Sequence, residues 1–277
     1  MESKVTQKKP YDYFTLIVMI ILAILFAFPL YWIITGSFKD TVAINAIIPE
    51  WFPQNPTMIN YEKLMKKPAF QWLWNAVFIS AMSMALTCIT SAMAGYALAK
   101  KRFIGQATIF TLLICAMALP KQVVLVPLLK EMSFLGLHDN VWAVILPTVG
   151  WPFGVFLLKQ FSEGIPTEML EAVRIDGAGE IQTFTTIVLP MIKPGIGALA
   201  IFTFISTWND YFLQLIMLNS SKVLTISLGI AKLQSENSSD FGLIMAGAAL
   251  GAVPIVAIFI AFQKYFTQGI TMGAVKG

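Results

Sequence analysis

Six apolar runs, at residues 13–35, 73–99, 104–120, 140–160, 195–218 and 242–263, leave this chain few ways to fold. A helix rises about 1.5 Å per residue, so about 20 mostly apolar residues cross a hydrocarbon layer. Backbone inside lipid must satisfy its own hydrogen bonds, which a helix does within one segment. A mean hydropathy of +0.73 leaves too much apolar surface for a soluble domain to hide. The expectation is an all-α integral membrane protein with six transmembrane helices. The third run is the least regular, because Pro120, Lys121 and Pro127 interrupt it. The stretch QVVLVPLLKEMSF, from Gln122, reads as a short helix in the outer interface. The last run qualifies despite Pro254.

Lysine and arginine set the orientation. With six spans and a cytoplasmic N-terminus, 11 of the 19 basic residues lie inside and 8 outside, and Lys100-Lys101-Arg102 abuts a span on the inner side. The layout is then a cytoplasmic tail at 1–12, a first helix at 13–35, an extracellular loop at 36–72, a core at 73–263 with a cytoplasmic loop at 161–194, and a cytoplasmic tail at 264–277. The run 13–35 is too long for a signal-peptide core and no small-x-small site follows it, so it reads as a retained span. The net charge of +4 sits in short clusters beside apolar runs, which suits anionic headgroups rather than nucleic acid.

Several functions drop out early. His138 is the single histidine, and Cys88 and Cys115 lie in apolar runs as buried small hydrophobes or a disulfide pair. They make neither a metal site nor a catalytic dyad. No G-x-x-x-x-G-K-[ST] motif is present to bind a nucleotide. Ser91, Gly95 and Ala99, like Gly247 and Gly251, recur at four-residue spacing, which suits ordinary close packing in one bundle. Segment 36–72, with IIPEWFPQNPT, reads as an ordered loop with aromatic anchors, and 219–241 carries a β-capable or interfacial piece.

One stretch breaks the apolar pattern. EAVRIDGAGEIQTFTTIVLP, at 171–190, places Glu171, Arg174, Asp176 and Glu180 within ten residues. Ile165-Pro166-Thr167-Glu168 is a helix start, with proline suited to the first helical position. Glu168 and Glu171 favour the N-terminal dipole, and Arg174 lies within pairing reach of Glu171. Gly177 and Gly179 can adopt left-handed conformations that end the helix. A second helix is predicted from Glu180 to Leu189, with Ile181, Phe184, Ile187 and Val188 on its apolar face and Thr183 opposite. Pro190 and Pro194 mark a bend into the next span. From physics alone this is either an interfacial connector or a docking element.

The spaced residues Glu171-Ala172, Gly177, Ile187 and Leu189-Pro190 resemble the EAA loop of ABC importer permeases, the inner-membrane components of binding-protein-dependent transport. Val173 stands where that family usually has alanine, a mild departure. RIDGAG at 174–179, TWNDYF at 207–212 and QGITMGAVKG at 268–277 are similar to the carbohydrate-importer branch, on its maltose-permease G side. The resemblance implies a type I ABC importer permease fold. It also implies a coupling role for Glu168, Glu171, Ala172, Arg174, Asp176, Gly177 and Ala178, whose helix sits in a cleft of an ATPase subunit. ATP and Mg are then bound by partner ATPase subunits, with no cofactor in this chain and no chemistry of its own. The implied partners are a homologous second permease subunit, two ATP-binding cassette subunits and an extracellular solute-binding protein. The tail Ala274-Val275-Lys276-Gly277 is implied to reach the ATPase dimer interface. An oligosaccharide of the raffinose type is the implied substrate. A non-oligosaccharide such as glycerol phosphate, or an ion-coupled carrier using Asp210, is the alternative.

Polar groups inside spans need a reason. Trp208, Asn209, Asp210 and Tyr211 supply hydrogen-bonding groups and ring faces of the kind a sugar requires. Their alternative is an interhelical hydrogen bond or a helix-ending turn. Trp151-Pro152-Phe153-Gly154 interrupts the run 140–160, where unwound backbone lines a cavity or makes a packing kink. Trp151 therefore joins the substrate-path set.

Overall fold

A computed structural model describes residues 10–236 and 240–274, with the backbone alone at 10–12 and 264–274. The expectations attached to residues 1–9 of the N-terminal tail, and to Val275–Gly277 of the C-terminal tail, lie outside the described residues.

In chain order the helices are α1 (Pro10–Ser37), α2 (Thr41–Ile44), α3 (Ile59–Met65), α4 (Ala69–Lys100), α5 (Gln106–Met117), α6 (Lys121–Phe134), α7 (Trp142–Val149), α8 (Phe153–Glu163), α9 (Thr167–Ile175) and α10 (Glu180–Thr183). A π-helical turn (Phe184–Val188) follows, then α11 (Leu189–Met191), α12 (Lys193–Trp208), α13 (Tyr211–Met217), α14 (Ile226–Glu236) and α15 (Phe241–Ala274). The all-helical membrane architecture is as expected. Among the described residues, Tyr13–Ser37, Ala69–Lys100, Trp142–Glu163 and Phe241–Gln263 are long and apolar enough to cross a membrane. Two bent pairs raise the number to six.

The bent pairs correct the simple picture of six straight rods. The third run yields α5, only 12 residues, which turns by 107° into α6. At about 1.5 Å per residue α5 spans roughly 18 Å, short of a hydrocarbon core of roughly 30 Å. Pro120 causes the turn: it is extended at the cap of α6 and has no N–H to continue α5. The fifth run is also divided, because α12 stops at Trp208 and α13 begins at Tyr211. Within 219–241 the chain forms a helix, α14, rather than a strand.

The chain divides into two compact units. Of the described residues, 10–67, 232–236 and 240–250 form the first. From Tyr13 to Leu30, α1 is exposed all round, as a helix apolar on every face must be when lipid or a partner surrounds it. Its end is fixed by the following loop, which is ordered as expected. Asn60 is fully buried and its amide donates to the carbonyls of Ser37 (2.9 Å) and Lys39 (2.7 Å). Lys39 lies 4.4 Å above the Trp32 ring and donates to the Glu50 carbonyl. Trp51 meets Trp32 edge-on at 6.1 Å.

Residues 68–231 and 251–274 form the second unit, built around α4. Its small residues admit α8 at close range. A Cβ on Gly95 would lie 2.7 Å from the Lys159 backbone nitrogen, and one on Gly154 would lie 2.3 Å from Ser91 Oγ. The spacing of Ser91 and Gly95 is thus explained by packing within the bundle. At the other end of α4, Trp72 Nε1 donates to the Ser221 carbonyl (3.0 Å), and the Asn75 amide donates to Lys222 and Leu224 (both 2.9 Å). Asp139, at φ 59°, accepts from the backbone N–H of Asn219 (2.7 Å) and Ser220 (2.9 Å), pinning the same loop. Both cysteines are free; Cys88 is half-buried, and Cys115 is exposed on α5 rather than buried.

Candidate functional site

The polar stretch at 161–194 folds into a closed hairpin. Gly177, at φ 84°, takes the left-handed position that follows α9. The Gly177 N–H donates to the Arg174 carbonyl (3.0 Å) and the Ala178 N–H to the Val173 carbonyl (3.2 Å). This pair of bonds is the Schellman ending, which satisfies carbonyls the helix leaves over. Gly179 departs from expectation: its φ is −71°, and it is the extended cap of α10.

The second arm also differs from the predicted helix. It runs as α10, then a π-helical turn over Phe184–Val188, then α11. The wider π turn shifts the register of side chains. Ile181 is consequently 81% exposed, whereas Thr183 is fully buried. Burial is tolerable for Thr183 because its hydroxyl donates to the Gly179 carbonyl (3.0 Å). At Ile192 the chain turns by 74° into α12, consistent with the bend expected between Pro190 and Pro194.

Leu170 holds the hairpin down, packed with Ile165, Val188, Ile192 and Tyr96 in one buried cluster. Glu168, Glu171, Ala172, Asp176 and Gly177 are exposed, and Ala178 is half-buried. Met169 and Ile175 are exposed beside Ala172, Ile175 at 86%. Arg174 does not pair with Glu171. Its guanidinium lies 3.0 Å from Glu180, which Lys101 also engages. The Lys101 hydrogen bond, aided by charge from Lys101 and Arg174 and opposed by slight desolvation, holds the Glu180 carboxyl below the usual glutamate range.

The second set of residues surrounds the break between α12 and α13. Asp210 caps α13 by accepting from the Leu213 N–H (3.4 Å), so it ends one helix and starts another. Its other oxygen lies 3.6 Å from Lys121 Nζ, and Lys121 sits 5.1 Å over the Trp151 ring. Asp210, Lys121 and Trp151 share a small cavity of about 30 Å³ with Thr87, Thr148, Ser206 and Thr207. A broader groove of about 460 Å³ carries Asn209, Asp210 and Tyr211 together with Gln122, Ser206 and Phe202. Trp208 is not on either wall; it is 4% exposed and stacks on Phe204 at 5.8 Å. Gln214 braces the break from inside, donating to the Thr207 carbonyl (2.7 Å) and accepting from the Thr225 hydroxyl (2.6 Å).

Sequence reasoning missed Lys121 and the hydroxyls around it. A lysine directly after a proline inside an apolar run was the available signal, because such a charge must find a partner.

Residues 91–272 match the family model described as binding-protein-dependent transport system inner membrane component. The chain is 34% identical over 260 residues to the arabinooligosaccharides transport system permease protein AraQ of Halalkalibacterium halodurans, covering 92% of this chain and 93% of that one. It is 33% identical over 254 residues to the melibiose/raffinose/stachyose import permease protein MelC of Bacillus subtilis, covering 90% and 91%. Its fold is similar to a chain in the crystal structure of a bacterial ABC transporter involved in the import of the acidic polysaccharide alginate. That likeness has a TM-score of 0.80 at 20% identity, over 95% of this chain and 100% of the other. The chain belongs to the family of binding-protein-dependent transport inner-membrane components, as a non-catalytic ABC transporter permease subunit that leaves ATP to a partner ATPase.

Proposed function

We propose that this chain forms half of the translocation path of an ATP-driven sugar importer and couples it to cytoplasmic ATPase subunits through the hairpin at 161–194. The observation that carries this is the exposed face of α9. Met169, Ala172 and Ile175 stand free on a helix whose end is closed and whose opposite side is packed. Exposed apolar groups on so well-anchored an element suit a partner cleft. The cytoplasmic placement of the hairpin and of both termini is supported by the Lys100-Lys101-Arg102 cluster at the same end of α4.

A neutral oligosaccharide is the substrate we favour. Relatives at 33–34% identity carry names that specify arabinooligosaccharides, or melibiose, raffinose and stachyose. The groove beside Asp210 offers amide, hydroxyl and carboxylate groups next to Tyr211, Phe212 and Phe202, a combination that suits hydroxyls and sugar ring faces. A homologous second permease supplies the other half of the path, and an extracellular solute-binding protein delivers the sugar.

The test is co-purification of the ATPase subunits with an Ala172→Arg variant of the assembled importer. A bulky charge on the free face of α9 is expected to shed the ATPase while the permease pair stays together in the membrane. Full retention of the ATPase would remove the hairpin from the docking role.

A further inference from the structure

Lys100 and Lys101 are adjacent in sequence, and their count on the inner side of a span suffices to explain their charge. Their contacts show something more specific. Lys100 is the last residue of α4 and Lys101 its extended cap, and the two side chains take different partners. Lys100 Nζ donates to the carbonyls of Glu163 (3.2 Å) and Ile165 (2.6 Å), in the turn where α8 passes into α9. Lys101 donates to the Glu180 carboxylate, at the start of the second arm. The end of α4 therefore grips the hairpin at its entry and at the start of its second arm.

The second grip is built out of more than one contact. Arg174, on α9, reaches the other Glu180 oxygen at 3.0 Å, so Glu180 ties both arms to α4. Five residues before Lys101, the Tyr96 ring lies 5.2 Å from its ammonium and 5.6 Å from the Phe184 ring of the π turn. The hairpin's apolar anchor, Leu170, Val188 and Ile192 packed with Tyr96, does not include Lys101 or Glu180. That apolar cluster stops short of the corner, where Asp176, Gly177, Gly179 and Glu180 are exposed. A load on α9 would bend the corner unless something outside the core fixes it. Exposed ion pairs add little to stability, but a paired carboxylate held from two elements fixes orientation.

We propose that Lys101 and Glu180 are positioning residues that lock the coupling hairpin to α4, so that displacement of α9 moves that span instead of flexing the corner. The consequence is mechanical. α4 packs on α7, α8 and α12, and its Thr87 lines the small cavity with Asp210. A hairpin locked to α4 has a route to the path that does not pass through its own flanking helices. This inference rests on the hairpin being the ATPase-coupling element.

The experiment uses the complete importer in proteoliposomes and reads ATP hydrolysed per solute taken up, with ATPase co-purification read in parallel. Lys101→Gln and Glu180→Gln should each raise ATP per solute by roughly two- to fivefold, the range that loss of an exposed ion pair allows. Both should retain the ATPase. The double variant should be no worse than Glu180→Gln alone, because the two act through one contact. Lys101→Arg, which keeps the charge, should restore the ratio. An unchanged ratio in both single variants, or losses that multiply in the double variant, would overturn the lock. Ala172→Arg separates this from the docking role. If it sheds the ATPase while Glu180→Gln couples normally, docking stands and the lock alone falls. If it sheds nothing, both fall.

Discussion

Replacing Gly177 with valine is the sharpest single perturbation of the hairpin. Gly177 sits at φ 84°, and a Cβ built there meets nothing within 4 Å. The penalty is therefore backbone strain alone, with no clash to relieve. An L-residue in the left-handed region is disfavoured by about 1–2 kcal/mol, and a β-branched residue by more. A penalty of that size lowers the closed population of the corner roughly 5- to 30-fold relative to opened forms. The bonds at risk are those from the Gly177 and Ala178 N–H groups to Arg174 and Val173. Leu170 stays packed, so membrane insertion and the bundle should survive. The assay is ATP-driven uptake by vesicles carrying the assembled importer, beside the amount of ATPase that co-purifies. Valine should cut uptake to a small fraction and weaken ATPase retention. Asparagine visits the left-handed region far more readily, so Gly177→Asn should keep most of both. Normal uptake by the valine variant, or equal loss in the asparagine variant, would refute the reasoning.

Other expectations follow from the same geometry. Asp210→Asn keeps a good helix cap but removes the charge facing Lys121, so uptake kinetics should change while complex assembly does not; Asp210→Ala should additionally lower the melting temperature through loss of a cap, a cost of about 1 kcal/mol. Gly154→Ala would place a Cβ 2.3 Å from Ser91 Oγ between α4 and α8, and overpacking of about 1–3 kcal/mol should appear as a lower melting temperature of the purified complex. The Glu180 carboxyl is held low by Lys101 and Arg174, so its contribution is present above the ordinary glutamate value of 4.5 and fades as pH falls through its lowered value. Thermal melting from pH 8 to 5 should show no dependence on Glu180, and the acid-side loss below that should shrink in Glu180→Gln.

The apolar runs made the helical membrane class legible, because nothing else tolerates that pattern. The breaks were partly legible. Pro152 announced the interruption between α7 and α8, and Pro190 with Pro194 announced the bend before α12. Pro120, Lys121 and Pro127 announced a break after α5 and a separate short helix from Gln122, but not the 107° turn between them. The first arm of the hairpin ended at Gly177 as its signal placed it, but Pro166 is the cap of α9 rather than its first helical residue. The second arm departed from its predicted helix, because a π turn adds width without changing residue type, and the face of Ile181 and Thr183 rotated with it. Local spacing also favoured Arg174 with Glu171, whereas tertiary placement gave Arg174 to Glu180. Lys101 was counted for its sign; its partner lies 79 positions away, beyond any pattern of neighbouring residues.

The most direct test of the account is uptake of a radiolabelled oligosaccharide by proteoliposomes holding the whole importer with its solute-binding protein, with ATP supplied on the ATPase side and a protonophore present or absent. Uptake should require ATP and be unchanged by the protonophore. Uptake that proceeds without ATP and collapses with the proton gradient would contradict it.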